Sequence, residues 1–366
     1  MRAWTTSATS LCSKWMRERV AGLLHRAGAL QALMRARRFV PFPTVSIITY
    51  HHVNEHLPDY PFDPEVADAT PAQFRWQMET VARYGTPIGV DDLLRALDGG
   101  SLPRNSVMVT FDDGYQSCHD IALPILRAVG VRATFFVATS YITDRKLYWW
   151  EQISMLVNRA RRPGTITYPR PVVLAPRNPR TRVKLNDLIK NTPNLDLPRF
   201  LTDIAVALDV EWNVETEIAA ANDLIMTWDH VRALARAGMD VESHSRSHRV
   251  LQTLDAATLH SELAGSRADL ETQLGRRVRA IAYPVGRRIG RADHIRKALT
   301  AAGYLVGLTN ASGVNVLMPP ALRRFVPVDR LDVRRLSIDR SLSDALFLSQ
   351  MALPRFGYYG RHQPAR

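Results

Sequence analysis

The sequence has few cysteines, little lysine and no long apolar run. Cys12 and Cys118 are the only cysteines among 366 residues. They allow at most one bridge, so stability cannot rest on a disulfide framework, and a reducing compartment fits. No stretch approaches the roughly 18 uninterrupted apolar residues of a spanning helix. Residues 1–16 (MRAWTTSATSLCSKWM) place Ser and Thr where an export signal needs its apolar run. These absences predict a cytoplasmic chain, neither exported by this route nor membrane-spanning. Lysine is so scarce that the excess of 48 Lys+Arg over 35 Asp+Glu, a net +13, is almost wholly arginine. Such a surface favours anionic partners. The arginines are spread along the chain without a recognition motif, which argues against nucleic acid.

With 46% hydrophobic and 23% charged residues, the chain is long enough for one large core or two smaller ones. Residues 15–39 place Met16, Val20, Leu23, Leu24, Ala27, Leu30 and Met34 at helical spacing, ringed by arginines. This reads either as a peripheral contact with an anionic membrane or as a helix packed on the main domain. After Pro43, short β-branched or apolar runs alternate with helical patterns. Strands are expected at 45–50, 107–111, 133–137, 239–243, 279–283, 304–308 and 323–326. Strand then helix, repeated about seven times with no GxGxxG after the first strand, predicts an α/β chain whose parallel sheet closes as a (β/α) barrel. The expected organisation is a basic helix and linker over 1–42, a barrel over 43–340 and a tail over 341–366. A helical insertion over 145–226 interrupts the barrel, opening on Trp149 and Trp150. Those tryptophans read as core anchors before sugar platforms.

Three segments fall at the C-terminal ends of expected strands, the rim where such barrels build active sites. In Thr110-Phe111-Asp112-Asp113-Gly114, two adjacent carboxylates allow one to hold a metal while its neighbour takes a proton. Alone, Asp-Asp-Gly is a common turn. In Ser243-His244-Ser245-Arg246-Ser247-His248, a helical turn would set both imidazoles on one face. With Asp113 they supply a three-ligand site with open positions. In Tyr283-Pro284-Val285-Gly286, a proline and a glycine bracket a residue whose N–H suits an oxyanion.

TFDDG at 110–114, HSRSH at 244–248 and AYPVG at 282–286 together resemble the first three motifs of the polysaccharide deacetylases, the NodB-homology family. Tyr50-His51-His52-Val53 resembles the YHxV segment that opens many members. The resemblance implies a distorted barrel with fewer than eight units. It implies Asp112 as general base and Asp113, His244 and His248 as ligands of a divalent metal, commonly Zn2+. The implied reaction removes N-acetyl from an amino sugar, with the oxyanion between the metal and the Val285 N–H. Two departures stand out. Many members carry an arginine in the third motif where this chain has Ala282, with Arg279 three residues upstream. The Leu-x-His segment that supplies the general acid has no counterpart, which turns attention to His51 or His52, with His51 preferred. The expected partner is an N-acetylated polysaccharide, oligosaccharide or lipid-linked glycan, handled by an enzyme peripheral to the inner membrane. The alternatives are an amidase or deformylase on the same barrel, and a catalytically silent glycan-binding module.

Overall fold

The computed structural model describes residues 8–37, 39, 43–55, 60–318 and 328–353, with side chains from residue 15 onward. Seven parallel strands close into a barrel: β1 Thr44–Tyr50, β2 Ser106–Phe111, β3 Ala133–Val137, β4 Asp240–Ser243, β5 Ala280–Ala282, β6 Val306–Ser312 and β7 Val333–Ser337. Chain order is followed around the sheet, and β1 closes it by pairing with both β2 (Tyr50↔Phe111) and β7 (Ile48↔Leu336). Six of the strands lie where sequence periodicity places them. The expected strand at 323–326 lies outside the described residues, and the seventh strand is 333–337.

Alternation along each strand sorts side chains into two cores. Inward-facing Val45, Ile47, Met108, Phe136, Ala280, Ala282, Val306, Leu308 and Val333 fill the barrel, and the helix Val90–Leu97 adds Val90, Leu93 and Leu97 to the same cluster. That helix is held at the N-terminal end, where Asp240, first residue of β4, accepts from Val90 N (2.9 Å) and Arg132 Nη2 (2.6 Å). Outward-facing residues such as Phe111 and Phe135, stacked at 4.7 Å, belong to the second core beneath the helices. Truncating either ring to alanine is expected to cost about 3–5 kcal/mol. Toward the C-terminal rim the interior turns polar. Thr49 and Thr110 share a 3.0 Å hydrogen bond, and above them stand Arg335 and Asp112.

Between β3 and β4 runs the insertion: helix Trp149–Arg159, a short hairpin (Gly164–Ile166 with Val172–Leu174), and helices Pro179–Asn191, Leu197–Ala207 and Val214–Leu224. Its buried Leu185, Ile189, Phe200 and Ile204 join the outer core. At the other end, helices Ala8–Arg26 and Ala29–Ala36 pack against Asp344–Ala352. Arg37 fixes that contact by donating to the carbonyls of Met351 (2.6 Å) and Ala352 (3.2 Å) at the helix C-terminus. No helix among the described residues is long and apolar enough to cross a membrane.

Candidate active site

The β2 strand delivers Asp112 and Asp113 to the rim and stops there. Asp112 N–H still donates to Tyr50 O (2.9 Å), but Asp113 and Gly114 take φ of 72° and 107° and turn the chain away. A Cβ at Gly114 would meet Val137 and the Tyr148 hydroxyl only at ordinary contact distance, so it is the backbone conformation, φ 107°, that favours glycine there.

His244 and His248 converge on Asp113 by a route other than the expected helical turn. Ser245 and His248 adopt φ of 63° and 54°, and the segment is a loop. Glu262 holds that loop, accepting from Arg246 N and Ser247 N (2.9 Å each) and from Ser247 Oγ. His244 Nε2 and His248 Nε2 stand 3.2 and 3.4 Å from Asp113 Oδ1, and all three side chains are buried. His244 Nδ1 lies 2.9 Å from Ala282 O, so it carries the proton and leaves the Nε2 lone pair toward Asp113. Burial pushes His248 down to about 3, keeping it neutral. Asp113 Oδ1 has no hydrogen-bond partner although buried. An orphaned buried acceptor costs about 1–3 kcal/mol, and a cation removes that cost. The donor set of one carboxylate and two imidazoles fits a divalent ion of the zinc class.

Asp112 points into the barrel, where Arg335 grips it with two parallel bonds, Nη1–Oδ1 2.8 Å and Nη2–Oδ2 2.7 Å. Burial alone would raise this carboxyl, but the Arg335 guanidinium and the nearby His244 hold it at about 2. Arg335 Nε also donates to Thr309 O (3.2 Å), fixing the fork from the sheet side. The third motif has no arginine at Ala282, and the arginine that pairs with Asp112 comes from β7 instead. Sequence reading missed it because the strand itself went unrecognised: Val333-Arg334-Arg335-Leu336 shows no apolar–polar alternation, and its burial pattern comes from barrel closure. Arg279, the earlier candidate, instead pairs with Asp91 at 2.5 Å. Ala282 places only a methyl in the interior cluster.

The two candidate acid histidines have different surroundings. His52 is buried with both nitrogens engaged, Nδ1 to Ser117 Oγ (2.7 Å) and Nε2 to Tyr60 OH (3.0 Å), and burial pushes it down to about 3. His51 follows Tyr50 just past the end of β1, one residue beyond the Tyr50↔Phe111 pair, with its side chain 26% exposed. Its Nδ1 meets Asp68 Oδ2 at 2.9 Å. Burial would lower this imidazole, but the Asp68 carboxylate, with added charge from Asp113 and Asp112, pushes it up to about 9.

Val285 sits in its turn at φ 63°, ψ −4°. Such a conformation costs a β-branched residue about 1–3 kcal/mol and clusters at functional sites. Trp149 and Trp150 are buried, as expected of anchors, and both pack against His248. Trp150 lies 4.5 Å from the His248 ring, stacks on Tyr148 at 4.6 Å and donates to Tyr115 OH (2.7 Å).

Comparison with known proteins places the chain in a family. The sequence profile of the family described as polysaccharide deacetylase matches residues 99–178 and 207–307. Among curated proteins, the chain is 35% identical over 82 residues to the poly-beta-1,6-N-acetyl-D-glucosamine N-deacetylase of Escherichia coli K12, covering 22% of this chain and 12% of that protein. It is 41% identical over 93 residues to a gellan lyase of a Bacillus species, covering 25% of this chain and 4% of the lyase. The chain thus spans only a small part of these relatives. Among solved structures, the Streptococcus pyogenes deacetylase PplD aligns at 18% identity over 86% of this chain and 100% of that one, TM-score 0.56. IcaB from Ammonifex degensii aligns at 15% identity over 85% of this chain and 97% of that one, TM-score 0.51. Both share the fold. With the profile match, this chain belongs to the polysaccharide deacetylase family.

Proposed function

We propose that the protein is a metal-dependent hydrolase that removes the N-acetyl group from an amino sugar in a glycan. The observation that carries this reading is the orphaned Asp113 oxygen between two free imidazole nitrogens, one residue from a carboxylate that Arg335 keeps ionised. A divalent ion held by Asp113, His244 and His248 would polarise the amide carbonyl and acidify a nearby water. Asp112 accepts the proton of the attacking water, and the bidentate grip of Arg335 sets the direction of its free lone pairs. The Val285 N–H meets the charge developing on the carbonyl oxygen. His51, protonated near neutral pH through Asp68, passes its proton to the departing sugar nitrogen as the C–N bond breaks. His52, with both nitrogens engaged, is no proton donor.

A polymer of N-acetylglucosamine heads the substrate panel, after the name of the Escherichia coli relative, followed by lipid-linked N-acetylated sugars. The test is acetate release by zinc-loaded wild type and Asp112→Asn. Release that disappears in the variant supports the reading, and the best substrate names the glycan. No acetate from any glycan, with formate or another acid released from a different amide, supports the amidase or deformylase. Metal binding with no hydrolysis supports a binding module.

The peripheral membrane contact rests on a separate feature. Trp15, Met16 and Leu23 are more than half exposed on the first helix, with Arg19 placed over the Trp15 ring at 4.3 Å. An apolar strip flanked by arginine suits an anionic bilayer surface. Flotation with anionic vesicles should be lost in the double variant Trp15→Ala, Leu23→Ala. Equal flotation of variant and wild type overturns the contact.

A further inference from the structure

Among the described residues a second set of ligands gathers outside the active site. His119, Asp120 and His230 each offer a ligand atom, all within 4.8 Å of one another. His119 and Asp120 lie in the π-turn Cys118–Ala122, which closes with a bond from Leu123 N to Cys118 O. Single π-turns are rare and recur at functional sites. His230 comes from the helix Trp228–Arg236, which leads into β4. The two imidazoles stack at 4.4 Å with 14° between their planes.

The hydrogen bonds leave the right atoms open. His119 Nδ1 lies 2.7 Å from Asp120 Oδ1, so the proton sits there and the Nε2 lone pair is available. Gln116 Nε2 donates to Asp120 Oδ2 at 2.9 Å and steadies the carboxylate. His230 Nδ1 accepts only a long 3.3 Å bond from Thr227 N. Coordination through its other nitrogen would cost that bond and a modest tilt of two partly exposed rings. The opposing charge is Arg145, which disfavours a cation at His230, but its guanidinium is tied to the carbonyls of Met226, Ala221 and Ile225 and to Asn222.

We propose that His119, Asp120 and His230 form a second, solvent-accessible site for a divalent ion of the zinc class. Two imidazoles and one carboxylate, with water completing the shell, match the borderline preferences of Zn2+ and its neighbours and suit Mg2+ or Ca2+ poorly. The site joins the turn after β2, which carries Asp112 and Asp113, to the helix before β4, which leads to His244 and His248. An ion there pins together the two segments that deliver the ligands of the buried site. It adds stability by mass action because the unfolded chain lacks this arrangement.

The test uses the full chain, stripped with a chelator and then equilibrated with an excess of Zn2+. Bound metal is counted per chain, and thermal stability is read with and without Zn2+. Wild type should hold two ions. His230→Ala and, separately, His119→Gln should each hold one and keep the hydrolase activity, while Asp113→Asn should also hold one but lose it. The part of the thermal stabilisation by Zn2+ that belongs to this site should be missing in His230→Ala and present in Asp113→Asn. One ion in wild type that persists in His230→Ala and is lost in Asp113→Asn overturns the second site and leaves the buried one standing. One ion lost in His230→Ala and kept in Asp113→Asn upholds the second site and breaks the reading of the buried one.

Discussion

The same three side chains, one aspartate and two histidines, meet at two places in this molecule, and burial separates what each can do. Around Asp113 the ligands are excluded from water, His244 is oriented by the Ala282 carbonyl, and a second carboxylate stands one residue away in the grip of Arg335. Around Asp120 the ligands are partly exposed, and the carboxylate is steadied by Gln116 in place of a buried arginine fork. An ion in the first place would work in a low-dielectric rim where charge acts strongly. In the second it serves only to hold two helical segments together. Ligand identity therefore does not distinguish a catalytic centre from a staple; surroundings do.

The largest expected effects come from the buried side of this contrast. Asp112→Asn should lower turnover by roughly 10²–10⁴-fold, the range for a lost general base, with the metal content of the buried site retained. Asp113→Asn should abolish both. Equal loss of metal in the two variants would erase the division of labour between neighbouring carboxylates.

Arg335→Ala leaves Asp112 buried beside no partner and should destabilise the fold by about 3–5 kcal/mol. Arg335→Met fills the space without the fork, so it should recover stability better than turnover. Urea unfolding with acetate-release rates on both variants separates the structural role from the orienting one.

A smaller effect concerns pH. His51 donates only while protonated, so kcat/KM should fall as pH rises through its value, about 9 in the ion-free protein. A bound dication moves that limb lower by cancelling the nearby negative charge. Asp68→Asn removes the carboxylate that raises His51 and should shift the limb to lower pH, while His52→Asn should leave its position unchanged. The same limb in wild type and Asp68→Asn would assign the proton to another donor. The smallest effect is expected at the exposed cluster, where His230→Ala should change ion-free stability by less than about 0.5 kcal/mol and turnover not at all.

Much of the buried site was legible because its chemistry is local in the chain. Asp112 and Asp113 are adjacent, and His244 and His248 are four apart, so their types and order already suggested one ion and one base. The way the histidines meet was not legible. They converge through left-handed residues at Ser245 and His248 held by Glu262, an arrangement that no periodicity encodes. His51 and His52 are neighbours with the same side chain, yet Asp68 raises one and burial lowers the other.

The sequence by itself determined the strand-helix alternation, six of the seven barrel strands and the residue types at the rim, because these follow from side-chain patterning and short spacings. Only the tertiary structure decided that Arg335, 223 residues from Asp112, orients it, and that His119 and Asp120 face His230. Closing the barrel brings β7 beside β1, and so carries Arg335 into the interior near the end of β2. A contact that depends on closure is set by the whole sheet and is written in no single segment.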